Sequence, residues 1–179
     1  MFKIDLSSTF KKVLTSVGVA GVLIAGIPVI TNAQGGSGLT IFSGVDRENI
    51  LNYYLDFNGQ RYNRDRYRLR IPGKKLMQGA AKFYIFYPDY YDGKFKEDKI
   101  EVRIDGEPLA LEQVIWDKEN YLIEIDLKEP LTESRKVELV FSGVKNPDIG
   151  TYYFRCEVLP AVDLPIRQYI GTWIISINP

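Results

Sequence analysis

Residues 139–158 read LVFSGVKNPDIGTYYFRCEV, and this stretch decides the fold. Both of its ends alternate between two sets of side chains, as strands with one buried face do. The middle of the stretch holds the residues that commonly turn a chain, which are Gly143, Asn146, Pro147, Asp148 and Gly150. The pattern therefore predicts two strands joined by a corner.

The order of residues at this corner resembles that of immunoglobulin-like β-sandwiches. There a tyrosine at the corner bonds through its hydroxyl to the backbone a few residues upstream. Tyr152 occupies that position, and Asp148 and Gly150 form the structural corner before it. Phe154 stands where antibody domains have a buried cysteine. We expect Tyr152 to be largely buried, with its hydroxyl bonded to backbone within residues 145–148.

Short alternating or apolar segments follow one another along the rest of the chain, with turn signals about every 8 to 12 residues. Asn58-Gly59 and Asp105-Gly106 are dipeptides typical of tight turns. Residues 48–57 suit either a short helix or a strand, and we favour a strand that ends at the first turn. Residues 107–111 are interpreted as the strand that returns from the second turn. The chain is predicted to be all-β, an immunoglobulin-like antiparallel β-sandwich of about seven to nine strands.

The beginning of the chain is typical of an export signal. A basic start precedes an apolar run over residues 13–30, and the small-residue sequence Thr31-Asn32-Ala33 follows as a cleavage site. Residues 1–33 are thus predicted to be a signal peptide, residues 34–38 a flexible leader, and residues 39–179 a single β-sandwich domain. The alternative is an uncleaved membrane anchor, because the run approaches the length of a spanning helix.

Composition excludes several classes of function. The chain has 23 basic and 23 acidic residues and no histidine. The balanced charge argues against a general nucleic-acid-binding protein, and the missing histidine removes Ser-His-Asp and Cys-His catalysis and the usual zinc and copper sites. Cys156 is the single cysteine, so we expect a buried thiol and no internal disulfide. We expect no catalytic residue, cofactor or metal.

Two further features, an arginine-rich stretch and Trp116, are interpreted as parts of the fold. Five arginines lie between residues 61 and 70, interleaved with tyrosines, a mixture that can bind single-stranded nucleic acid or an anionic glycan. Because Tyr67, Leu69 and Ile71 alternate with the last three arginines, we favour a strand whose solvent face carries the arginines. Trp116 lies 38 residues before Phe154, and we expect it to pack near that ring, as the sandwich tryptophan does.

Residues 87–98 contain the candidate ligand loop, YPDYYDGKFKED. Tyr90 and Tyr91 could stack on a sugar ring, and the nearby acids could bind calcium; these are Asp89, Asp92, Glu97 and Asp98. The spacing of the acids does not match known calcium loops, which place them at alternate positions around a glycine. A solvated turn with packed tyrosines is the competing interpretation. We take Asp89, Tyr90, Tyr91 and Asp92 as the candidate ligand residues.

Several longer segments resemble a known family. They are IPGKKL (71–76), FYPDYYDGKF (86–95), IEVRIDG (100–106), VIWDKEN (114–120), VKNPDIGTYYF (144–154) and YIGTWIISI (169–177). In this order they resemble the cyanobacterial exported proteins that carry the domain of unknown function numbered 2808. The resemblance implies a signal peptide, a periplasmic or cell-envelope location and a β-rich domain. It implies no reaction and no site residues.

The sequence therefore predicts a non-catalytic periplasmic or cell-envelope protein that binds another protein or an envelope polysaccharide. Contact would be made through exposed strand edges or through the 87–98 loop. We expect no nucleic-acid partner, and contact with a membrane only through the first segment if that segment is uncleaved. The alternatives are a calcium- or carbohydrate-binding module centred on residues 87–98 and a hydrolase that uses a carboxylate pair.

Overall fold

A computed structural model describes residues 44–179 of the chain. The predicted signal peptide (1–33), the leader (34–38) and residues 39–43 of the predicted sandwich domain lie outside the described residues. Within 44–179 the only helices are three single 3-10 turns, and none is long and apolar enough to cross a membrane; they are Arg47–Asn49, Gly73–Lys75 and Glu97–Lys99.

The described residues form two sheets. Their strands are, in chain order, β1 (Ile50–Leu51), β2 (Tyr53–Leu55), β3 (Arg64–Ile71), β4 (Ala80–Phe86), β5 (Ile100–Ile104), β6 (Glu107–Pro108), β7 (Leu111–Asp117), β8 (Leu122–Leu131), β9 (Val137–Lys145), β10 (Gly150–Leu159) and β11 (Gln168–Ile177). The six-stranded sheet has the order β1-β11-β10-β4-β8-β7, and the five-stranded sheet has the order β2-β3-β9-β5-β6. All neighbours are antiparallel except β1 and β11. The predicted all-β immunoglobulin-like sandwich is confirmed.

There are more strands in this part of the chain than the predicted seven to nine, because two predicted strands are each divided between the sheets. The segment predicted as one strand over residues 48–57 becomes β1 in one sheet and β2 in the other, with the exposed Asn52 between them. The return strand predicted over residues 107–111 ends at Pro108, and β7 begins at Leu111 in the opposite sheet. A proline lacks the N–H that would extend an inner ladder, so it suits such a short edge strand.

The core lies between the inward faces of the two sheets. On the last strand, Trp173, Ile175 and Ile177 are buried. Trp173 pairs in register with Phe154 on β10, and its indole N–H donates to the carbonyl oxygen of Arg70 at 3.3 Å. This bond satisfies the one polar group of the tryptophan inside an otherwise apolar interior.

The tryptophan beside Phe154 is Trp173 and not, as predicted, Trp116. Trp116 lies on the edge strand β7 and is only half-buried. Its ring packs edge-on against Phe95 at 5.4 Å between centroids, and Phe95 in turn contacts Phe154 at 6.1 Å. An edge strand cannot bring its side chain to the centre of the core, so Trp173 on the inner strand β11 occupies that place.

The arginine-rich strand has the predicted alternation. Tyr67, Leu69 and Ile71 are fully buried, and the intervening arginines lie half-buried on the outer face of β3. The carboxylate of Asp56 accepts two hydrogen bonds from Arg68, at 2.7 and 3.0 Å. That hydrogen-bonded guanidinium lowers the pKa of Asp56 below its ordinary value. The arginines therefore serve ion pairs within the sheet.

Cys156 is confirmed as a buried side chain. It lies on the inward face of β10, between Phe154 and Val158. Burial in this apolar environment raises the pKa of the thiol, because the charged thiolate would lose its hydration there. The thiol is therefore kept in its unreactive protonated form.

Candidate ligand surface at the corner end

One end of the sandwich, here called the corner end, is formed by the β2–β3, β4–β5 and β9–β10 connections. The β4–β5 connection is tied to β9 by two backbone hydrogen bonds between Lys94 and Lys145, of 2.8 and 2.9 Å. The β2–β3 connection is tied to the end of the chain, where the N–H of Arg61 donates to the carbonyl of Asn178 at 2.9 Å. Three segments distant in sequence are thus held side by side.

The corner itself has the predicted hydrogen bond. The Tyr152 hydroxyl donates to the backbone carbonyl of Asp148 at 2.9 Å, and the Tyr152 side chain is 4% exposed. Burial of the ring raises the pKa of this hydroxyl, so it remains a donor. The ring also lies directly over Gly150, where a β-carbon would come within 3.3 Å of it. A side chain at that position would require the Tyr152 ring to move by a few tenths of an ångström.

Replacing Tyr152 with phenylalanine is expected to lower the free energy of unfolding by about 1 kcal/mol, because one buried hydrogen bond is lost while the ring stays in place. Chemical denaturation measures the change. Tyr153→Phe on the outer face of the same strand is the matched control, with an expected effect near zero. Equal losses in the two variants would show that the Tyr152 bond does not stabilise the corner.

Beneath the corner, the 87–98 loop inserts three aromatic rings into the end of the core. Tyr87, Tyr91 and Phe95 are all buried. Tyr91 stacks on Phe95 at 5.3 Å with an interplanar angle of 11° and meets Phe154 edge-on at 5.0 Å. The Gly93 backbone lies so close to the Tyr91 ring that a β-carbon there would come within 2.4 Å of it. The loop is therefore a plug that packs into the end of the core.

A line of buried polar groups connects this plug to the β2–β3 connection. The Tyr91 and Tyr67 hydroxyls lie 3.3 Å apart, and Tyr67 donates to the side-chain oxygen of Asn146 at 2.7 Å. The Asn146 amide nitrogen donates to the carbonyl of Gln60 at 2.8 Å. Burial raises the pKa of both tyrosines, which keeps their hydroxyls protonated.

The same line ends at a buried carboxylate. Asp65 is 1% exposed, and its two oxygens accept the backbone N–H groups of Phe57 at 2.9 Å and Gly59 at 2.8 Å. One of these oxygens also accepts the N–H of Arg66 at 2.6 Å. Asp65 thereby closes the tight turn that leads from β2 towards β3, and this turn positions the residues that follow it.

The surface above the plug carries five polar or aromatic side chains, which we call the tyrosine face: Arg61, Tyr62, Tyr90, Asp92 and Asp148. Tyr90 is 59% exposed, yet one side of its ring stacks on the buried Tyr152 at 5.6 Å with an interplanar angle of 30°. The guanidinium of Arg61 lies 3.8 Å from the Asp148 carboxylate. Asp92 accepts the backbone N–H of Asp148 at 3.4 Å. The face thus combines a fixed exposed ring with charges of both signs.

Tyr62 joins this face through an unusual backbone conformation. Its φ is 58°, in the left-handed region that residues with a side chain seldom occupy. Its N–H donates to the carbonyl of Pro147 at 3.4 Å, which ties it to the corner. Partial desolvation and the nearby Asp148 carboxylate raise the pKa of its hydroxyl. Tyr62 is therefore held at the surface with a protonated, hydrogen-bonding hydroxyl.

The structure separates the four predicted ligand residues. Asp89, Tyr90 and Asp92 are exposed, whereas Tyr91 is buried in the plug. Tyr62 is not among the predicted ligand residues, because the arginine-rich stretch that contains it is interpreted as a strand, whereas β3 begins only at Arg64. The Asn58-Gly59 dipeptide gave no warning, because such a pair usually joins two strands directly.

The acids of the 87–98 loop do not converge on one point. Glu97 accepts the backbone N–H of Trp116 at 2.7 Å, and Asp92 is bonded to the corner instead. In the part of the chain from residue 44 onward, no group of three or more acidic or cysteine side chains is placed to hold a metal ion. The calcium hypothesis therefore lacks a ligand set in this part of the chain.

Comparison with known proteins identifies the family. A family model described as "Protein of unknown function (DUF2808)" matches residues 39–177, and no curated protein matches the chain. Among solved structures, BslA, described as a bacterial hydrophobin, is 14% identical, with a TM-score of 0.49 over 72% of this chain and 92% of that one.

Two other similar structures are more distant. A collagen-binding domain from a Staphylococcus aureus adhesin is 7% identical, with a TM-score of 0.44 over 73% of this chain and 97% of that one. A protein from Nocardia farcinica described as having an immunoglobulin-like fold is 10% identical, with a TM-score of 0.42 over 72% and 98% of the two chains. Similarity at this level concerns the fold alone.

Proposed function

Because this chain belongs to the DUF2808 family, whose function is unknown, we propose a role from its own surface. The protein is an exported, non-catalytic component of the periplasm or cell envelope that binds an envelope polysaccharide at the tyrosine face. The observation that carries this proposal is Tyr90, a large exposed ring held in place by stacking on the buried Tyr152.

A ring fixed in this way suits a sugar ligand. The other side of the Tyr90 ring offers a flat apolar surface for contact with a ligand, while its hydroxyl can remain hydrated, as is common for tyrosines at interfaces. Because the side stacked on Tyr152 is already packed, little side-chain freedom is lost when a ligand covers the ring. Arg61 can donate to sugar hydroxyls, and the carboxylates of Asp92 and Asp148 can accept from them. A polysaccharide offers both the ring faces and the hydroxyls that this arrangement matches.

The two acidic side chains of this face accept hydrogen bonds from the backbone, which suits a protein that binds without catalysis. Asp92 accepts the N–H of Asp148, and Asp148 accepts the N–H of Ile149 at 2.7 Å. Both carboxylates therefore stabilise the corner backbone. A glycoside hydrolase instead needs one carboxyl group kept protonated and a second one across the scissile bond.

Export is supported by the basic start, apolar run and small-residue cleavage site of residues 1–33.

Replacing Tyr90 with alanine is expected to weaken polysaccharide binding about tenfold or more, a change of about 1.4 kcal/mol. The loss follows because the stacking surface disappears while the corner and its Tyr152 hydrogen bond remain. A glycan array identifies the polymer, and calorimetry with that polymer measures the affinity of each variant. The release of reducing ends is measured in the same samples.

Tyr54→Ala is the matched control, because Tyr54 is similarly exposed but lies on β2, away from the tyrosine face. It should bind as the unmodified protein does. Equal losses in both variants, or the absence of any bound polymer, would contradict the proposal. Release of reducing ends would replace it with the hydrolase alternative.

A further inference from the structure

The five-stranded sheet carries three basic side chains side by side where it reaches the corner end, and we call them the basic row: Arg64, Lys94 and Lys145. Arg64 on β3 is directly opposite Lys145 on β9. Lys94, in the β4–β5 connection, is directly opposite Lys145 on its other side. Side chains of directly opposite residues lie on the same face, with β-carbons about 4.5 to 5.5 Å apart. Three positive charges are therefore adjacent across three neighbouring segments.

The backbone hydrogen bonds of Lys145 bring two of these side chains especially close. Its N–H and its carbonyl both bond to Lys94, so neither is directed towards β3. Arg64 and Lys145 thus form a non-hydrogen-bonded pair, the kind in which side chains approach more closely. All three basic side chains are exposed, whereas Asp65 and Val144 beside them are buried. The basic row therefore lies on the solvent face of the sheet.

No acidic side chain neutralises the basic row. Within residues 44–179, no ion pair includes any of its three members. The next positions on the same face of the two strands are Arg66 and Ser142, and neither is acidic. The stems of Lys96 and Lys99 lie 3.6 and 3.8 Å from the place that a β-carbon on Gly143 of β9 would occupy. Two further positive charges are thus beside the row.

The acidic side chains of the corner end contact groups outside the basic row. The contacts are those of Asp56 with Arg66 and Arg68, Asp148 with Arg61, Asp92 with the N–H of Asp148, Glu97 with the N–H of Trp116, Glu101 with Arg103, and Asp117 with Asn120. Asp89, Asp98 and Glu119 are exposed, and none of them is opposite a member of the row. The end as a whole carries both signs, whereas the row carries one.

The repulsion within the row favours a bound anion. Like charges directly opposite each other destabilise a sheet, so the fold gains nothing from this arrangement. A ligand with negative groups would remove the repulsion, and this gain would add to its binding free energy. The guanidinium of Arg64 can form paired hydrogen bonds with a carboxylate or phosphate, and the two lysines supply point charges.

We propose that the basic row binds acidic groups of the polysaccharide, which are carboxylate, phosphate or sulfate. This inference rests on the proposed function, because the polymer is the one that contacts the tyrosine face. The two surfaces are continuous, since every member of the row lies within three residues of the tyrosine face: Arg64 follows Arg61 and Tyr62, Lys94 follows Asp92, and Lys145 precedes Asp148. A linear polymer can therefore cover the fixed ring and the row together.

The test measures, by calorimetry on the full exported chain, binding to two acidic polymers and their neutral counterparts. These are polygalacturonate with its carboxyl-reduced form, and dextran sulfate with dextran. The unmodified protein should bind the acidic polymers at least about tenfold more tightly, and high salt should abolish this difference by screening the charges. Lys145→Glu should weaken binding to the acidic polymers at least about tenfold, because it reverses the central charge of the row.

Lys128→Glu is the matched control, because Lys128 is also an exposed strand lysine but lies on β8 of the other sheet. It changes the net charge equally and should bind as the unmodified protein does. Lys145→Glu places a negative charge between two positive ones, so its unfolding temperature should not fall. Weaker binding by this variant would therefore not result from a loss of folding.

Each other outcome distinguishes this inference from the proposed function. Equal binding of acidic and neutral polymers, or undiminished binding by Lys145→Glu, would overturn the inference; a loss in Tyr90→Ala would then leave the proposed function standing. Acidic-polymer binding that is lost in Lys145→Glu but kept in Tyr90→Ala would support the basic row and contradict the tyrosine face. Tighter binding to a DNA duplex or to phosphatidylglycerol vesicles would replace the polysaccharide. Failure to bind any polymer would contradict both proposals.

Discussion

Replacing Trp173 with alanine is expected to lower the free energy of unfolding by about 3 to 5 kcal/mol. The indole is fully buried on β11, beside Phe154 on the neighbouring strand. Its removal leaves a cavity between the sheets, and the close-packed strands on both sides cannot move far enough to fill it. It also leaves the carbonyl of Arg70 without the indole donor. Chemical denaturation measures the loss.

Trp116→Ala is the matched comparison for Trp173→Ala. Trp116 is half-buried on the edge strand β7, so solvent and neighbouring side chains can occupy the space it leaves. We expect a loss of about 1 to 2 kcal/mol. A larger loss for Trp116 than for Trp173 would mean that Trp116, the residue chosen from the sequence, is the central tryptophan after all.

The second large effect is expected for Asp65→Ala, with a loss of about 2 to 4 kcal/mol in the free energy of unfolding. The buried carboxylate accepts the N–H groups of Phe57 and Gly59, and alanine would leave both without a partner. Each buried donor without an acceptor costs about 1 to 3 kcal/mol. Amide hydrogen exchange should show faster exchange at both N–H groups, because the turn opens locally.

Asp65→Asn separates the hydrogen bonds from the packing. Asparagine has nearly the same shape but keeps only one of the two accepting oxygens. The free energy of unfolding of Asp65→Asn should therefore fall between that of the unmodified protein and that of Asp65→Ala. A loss in Asp65→Asn equal to that in Asp65→Ala would show that the negative charge, and not the number of acceptors, is what the turn requires. A negligible loss in both would contradict the role assigned to the carboxylate.

The fold could be predicted because the sequence patterns that indicate it involve residues close together in the chain. The alternation of residues along β3 and β10 depends on a period of two, which one strand shows by itself. The hydrogen bond from Tyr152 to the Asp148 carbonyl spans only four residues. The division of residues 48–57 between two sheets was not predicted, because β1 and β2 take their places from β11 and β3, far along the chain.

The tyrosine face could be predicted only in part. Tyr90 and Asp92 were recognised as candidate ligand residues because they lie together in one aromatic and acidic loop. Arg61 and Tyr62 lie about thirty residues earlier in the sequence. They reach the same surface through the Asn178 and Pro147 carbonyls. Nothing near them in sequence indicates those long-range bonds.

By itself, the sequence determined that residues 44–179 build a β-sandwich with a tyrosine corner, since alternation and turn residues act within a few positions. Only the tertiary structure decided which of the adjacent Tyr90 and Tyr91 faces solvent and which tryptophan lies at the centre. Those choices depend on which segments pack together when the two sheets form one core. That packing is made of contacts between residues far apart in the chain, so no local pattern indicates it.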